Sequence, residues 1–124
     1  MKTQNINRKQ LNLIFGGNKD LELKSYKLFL NQTIHLWSFT GLLLYQNKQE
    51  EAADLIKSII ADFAKIGFGH FQADLKFFER SLRMHLYGVE ASVIHFERLD
   101  KKVADMFEVV RTESRKLKAE MACV

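Results

Sequence analysis

The stretch Val89–Leu117, VEASVIHFERLDKKVADMFEVVRTESRKL, decides how this chain folds. Val89, Phe96, Val103, Val110 and Leu117 recur every seven residues, with Leu99 and Met106 at the complementary seam positions. A repeat sustained over four heptads keeps one apolar stripe on a helix and favours left-handed, coiled-coil-like packing. A helix of roughly 31 residues is expected, about 46 Å long. Its stripe has to be covered by other helices, and the rest of the chain supplies them.

No proline interrupts the 124 residues, so nothing removes an amide donor from a helix interior. Going back from Val89, Gly88 is the expected turn. A helix from about His70 to Tyr87 carries Phe71, Leu75, Phe78, Leu82 and Leu86 in its seam. Before it, Ala52, Leu55, Ile56, Ile59, Ile60, Phe63 and Ile66 form a one-sided helical pattern, opened by Asn47 with Glu50 in the first turn and closed by Gly67 and Gly69. Earlier still, Leu23, Leu30, Trp37 and Leu44 repeat every seven residues, and Phe29, Leu36 and Leu43 do so one position ahead. Two adjacent stripes predict a helix, capped by Asn18 or Asp20 and ending near Gln46, that touches at least two neighbours. A short helix over Arg8–Phe15, with Leu11, Ile14 and Phe15 on one side, stops at Gly16-Gly17. The fold expected is all-α: an antiparallel four-helix bundle (residues 19–124) with a short N-terminal helix or arm (residues 1–18) and a long C-terminal helix.

The final helix is too long for its neighbours. Past Met106 the second seam position falls on Glu113. The last turns are therefore solvated, packed on the N-terminal helix, or covered by another chain. Val110 and Leu117 are the expected contacts for a protein partner or for a homodimer through the C-terminal helix.

Leu28–Tyr45 contains no formal charge over 18 residues, the lower limit of a membrane span. Asn31, Gln32, Thr33, His35, Ser38 and Thr40 interrupt it at positions costly in hydrocarbon, so a central bundle helix is the reading and no membrane partner is expected. The lone Cys123 allows no internal disulfide and no stretch resembles a secretory signal, which makes the cytoplasm the expected compartment.

The net charge of +4 lies entirely before residue 28, where six cations face two anions. Lys2, Arg8, Lys9, Lys24 and Lys27 are thus candidates for contact with an acidic protein surface or with nucleic-acid phosphates, through counterion release and Coulomb steering. No cofactor or metal is expected. His35, His70, His85 and His95 contain no i, i+4 pair, and His70 with Asp74 offers only half a site. Gly16-Gly17 lacks the other glycines and the lysine of a phosphate loop.

One motif points to chemistry. Arg80-Ser81-Leu82-Arg83-Met84-His85-Leu86-Tyr87 places a histidine five residues after an arginine and a tyrosine two further on. These eight residues resemble the signature of HEPN ribonucleases, small all-helical domains that cleave RNA by attack of the 2′-hydroxyl. The resemblance implies that Arg80 stabilises charge on the phosphorane and His85 acts as acid or base. It also puts Tyr87 where some toxins of that family are nucleotidylated. Read as an ordinary helix face, the same stretch pairs Arg83 with Glu79 and leaves His85 partly buried beside Leu82. With no catalytic set elsewhere, the expectation is a small non-enzymatic regulatory or inhibitory protein that binds a macromolecular partner. The ribonuclease using Arg80, His85 and Tyr87 is the alternative.

Overall fold

The computed structural model describes residues 8–67 and 71–122. Lys2, Gly69, His70 and Cys123 lie outside the described residues, and so does the side chain of Arg8. The helices are α1 (Arg8–Phe15), α2 (Lys19–Leu28), α3 (Ile34–Tyr45), α4 (Gln49–Lys65), α5 (Gln72–Arg83) and α6 (Val89–Ala122). A π-helical turn, Phe29–Thr33, joins α2 to α3 into one continuous rod. No strand occurs among the described residues.

The rod, α4, α5 and α6 form an antiparallel four-helix bundle, and α1 packs onto it as a short fifth element. Asn18 caps the rod, its Oδ1 accepting from the Leu21 amide at 3.1 Å. Along the rod Thr33 donates to Asp62 of α4 at 3.0 Å, and Trp37 Nε1 donates to Asp100 of α6 at 2.7 Å. Phe29, Phe63, Phe71 and Phe107 come from four different elements and meet at the centre, with ring centroids 5.1–6.3 Å apart. The Phe29–Phe63 and Phe63–Phe71 pairs meet edge to face, and such oriented contacts favour one arrangement of the rods over a loose apolar drop.

Close approach fixes the other end. Gly41 faces the Phe96 ring so closely that an added Cβ would lie 2.8 Å from it. Phe96 in turn stacks on Trp37 at 4.5 Å. The glycine makes room for that ring, which would have to shift for any larger residue; its own backbone is ordinary helix.

Several expectations change. Val110 is fully buried and Leu117 nearly so, inside the chain's own core. They are not a surface for a partner or a second copy. The surplus length of α6 is covered by α2, and Lys19 pairs with Glu120 at 3.5 Å near its end. The π turn was not foreseen. Nor was the early end of α5, which leaves Leu86 55% exposed, or the exposure of Ile14 while Leu11 and Phe15 are buried. Gln10 Nε2 donates to the Ala64 carbonyl at 3.3 Å, tying α1 to the C-terminal end of α4. Asn47 does not cap α4. It lies at φ 59° and closes α3, with the Lys48 amide bonded back to Leu43 O and the Asn47 amide to Leu44 O.

Candidate functional site

α4 and α5 form a helical hairpin, and their polar faces leave a groove between them. On α5 the buried set Leu75, Phe78 and Leu82, with Phe71 just before the helix, turns Lys76, Glu79, Arg80 and Arg83 to the other side. On α4, Lys57 and Ile60 line the opposite wall. Arg83 spans the hairpin, bonded to Asp54 and to Glu79 at 2.9 Å each. These two hydrogen bonds, Glu79's first, raise the Arg83 pKa further above its already high value. With Asp54 opposite Arg83, the same antiparallel register sets Lys57 opposite Arg80.

The groove encloses about 570 Å³ and is completed by Met84, itself 61% exposed. Lys57, Lys76 and Arg80 pair with no carboxylate among the described residues. Three uncompensated cations flank apolar surface from Ile60 and Met84. Such a concavity attracts an anion and still rewards apolar burial.

The motif residues disperse. Arg80 sits in the last turn of α5, on the groove. His85 lies beyond the helix in the left-handed region at φ 50°, its amide bonded to Leu82 O, and its side chain is exposed where partial burial was expected. Its Nε2 is 3.5 Å from Glu50 at the start of α4. Tyr87 turns toward α6, its ring 6.0 Å from His95 and edge-on to it. Neither His85 nor Tyr87 lines the groove that holds Arg80. The Arg83–Glu79 pair expected from their spacing is present.

Of the N-terminal cations, Lys9, Lys24 and Lys27 are exposed on two helices. Sequence reasoning singled out Arg80 but missed Lys57 and Lys76. Counting residues outward from the Gly67 turn on both sides of the hairpin would have placed Lys57 across from Arg80.

Other concavities lie elsewhere on the described residues. Phe77, Tyr87, Ala91, Ile94, His95 and Arg98 line a shallow groove of about 430 Å³ between α5 and α6. The His95 ring is 4.5 Å from Phe78 and 6.0 Å from Phe77, and burial, then Arg98, lowers its pKa below the usual 6.5, with Asp74 opposing. A smaller cavity of about 120 Å³ lies beside the π turn, lined in part by Ser25, Thr33, Asp62 and Lys65. Among the described residues no group of three or more His, Cys, Asp or Glu could hold a metal ion, and no helix is long and apolar enough to cross a membrane. Comparison of the chain with protein-family models, curated proteins and solved structures finds no match.

Proposed function

We propose that this protein is a small non-enzymatic regulator or inhibitor that docks an acidic, amphipathic segment of a partner protein in the α4–α5 groove. The supporting observation is the trio Lys57, Lys76 and Arg80, unpaired with carboxylates around apolar surface from Ile60 and Met84. An amphipathic helix laid in a groove meets both requirements, with leucine-like anchors on the floor and carboxylates at the lysines. Nucleic acid fits less well: no aromatic residue lines the groove for base stacking, and Glu79 sits among the cations. The single cysteine suits a reducing compartment, and a cytoplasmic setting belongs to this proposal.

The test uses a fluorescently labelled helical peptide with glutamates on one face and leucines on the other. Its anisotropy should rise with the parent protein. Binding should weaken about tenfold or more in a Lys57→Glu, Lys76→Glu, Arg80→Glu variant, and fall as salt screens the charges. A Lys24→Glu, Lys27→Glu variant should bind as the parent does. Equal affinity of the two charge-reversed variants would remove the groove from the proposal. Incubation with total RNA addresses the ribonuclease: cleavage by the parent, lost in Arg80→Ala, His85→Ala, would overturn the non-enzymatic reading.

A further inference from the structure

From Leu28 on, the outward face of the α2–α3 rod is uncharged, with Asn31, Gln32, His35 and Ser38 beside large apolar side chains, where the other rods are charged. Leu28 is 56% exposed, Phe39 50%, Leu42 49% and Tyr45 63%. Phe39, Leu42 and Tyr45 step by three residues along α3, and the exposed His35 lies one turn earlier. From Leu28 to Tyr45 there is no charged residue at all, in a chain of which 27% is charged. The exposed side of α4, by comparison, presents Glu50, Glu51, Asp54, Lys57 and Lys65.

From this we propose that two copies of the chain associate in an isologous pair through the outward face of α3. The occupant follows from charge and area. The rod itself carries no charge over this span, and the one carboxylate at its edge, Glu97 of α6, already accepts from the Tyr45 hydroxyl at 3.1 Å, so a charged partner would desolvate its ionic groups with little return. The face is matched by a surface equally free of charge, and a second copy carries one. Across a two-fold axis the Leu28 end of one rod meets the Leu42–Tyr45 end of the other, with Phe39 near the middle. The exposed fractions of the four side chains amount to about 500 Å² per copy and about 1,000 Å² for the pair, the size at which specific interfaces begin. The proposal is independent of the α4–α5 groove, which lies on other helices.

Sedimentation velocity of the full chain tests it. The parent should shift from 14.5 kDa toward twice that mass as concentration rises to about 100 μM. Phe39→Glu, Leu42→Glu should stay at monomer mass while keeping its helical circular dichroism, and the milder Phe39→Gln, Leu42→Gln serves the same purpose if the charged pair does not fold. A conservative Phe39→Leu, Leu42→Met variant should retain the dimer, and so should the groove variant Lys57→Glu, Lys76→Glu, Arg80→Glu. Monomer mass for the parent throughout, or a dimer undiminished in both folded α3 variants, would overturn the proposal.

Discussion

His85 holds a backbone conformation, φ 50°, that a side chain with a Cβ adopts at a cost of about 1 kcal/mol. It does so because α5 ends in a paired closure: its own amide bonds to Leu82 O at 3.2 Å and the Leu86 amide to Ser81 O at 3.0 Å. Glycine is the usual occupant of that position, and Gly88 was expected to make the turn. Instead Gly88 precedes α6, its carbonyl accepting from the Ser92 amide at 3.0 Å. The error has a plain origin. Glycine marks where a left-handed residue is cheapest, whereas hydrogen-bond closure decides where one is required. The contact between His85 and Glu50 returns little, since both side chains are more than half exposed. His85→Gly should therefore stabilise the fold by about 0.5–1 kcal/mol, raising Tm by about 3 °C in a thermal melt. Asn47→Gly should gain less, because asparagine tolerates the left-handed region better than histidine does.

Among the elements, most helices were legible because apolar spacing and glycine stops agree. Of the expected seam of α4, Ala52, Ile56, Ile59, Ile60, Phe63 and Ile66 are buried and Leu55 is half-buried, and Gly67 closes the hairpin at φ 89°. The rod from Lys19 to Tyr45 was legible in extent but not in its interior. Nothing in Phe29-Leu30-Asn31-Gln32-Thr33 announces a π turn, since wide and ordinary helical turns draw on the same residue types. A π turn holds one residue more than the α turn it replaces. Removing one exposed residue from it should convert it to α-helix and leave both flanks in phase. Deletion of Asn31 is thus expected to leave a folded, cooperatively melting protein, destabilised by about 2 kcal/mol or less. Deletion of Ser38, equally exposed but inside regular helix, rotates one side of the rod by about 100° against the other. It should abolish the cooperative transition. Equal damage from the two deletions would show that the wide turn is built into the packing of both flanks.

The heptad stripe of α6 runs along a 34-residue helix whose far end needs a cover. The rod α2–π–α3 runs antiparallel to α6 for most of its length, with Lys19 at Glu120, Phe29 at Phe107 and Trp37 at Asp100. Its 27 residues reach about 40 Å, long enough to shield the α6 stripe as far as Leu117. That arrangement could not be read from the sequence, because an uncovered heptad stripe looks the same whether its cover lies in the chain or outside it. Leu117 now discriminates. Its surroundings include Glu22, Glu113 and Glu120 against Lys19 and Lys116, so a new carboxylate there would be desolvated among like charges. Leu117→Glu should destabilise the fold by about 3 kcal/mol or more in urea denaturation. Leu13→Glu, at a leucine 87% exposed on α1, should change stability by less than about 0.5 kcal/mol. If Leu117→Glu melted with the parent, the C-terminal turns of α6 would be solvated in solution, and the cover supplied by α2 would have to end short of them.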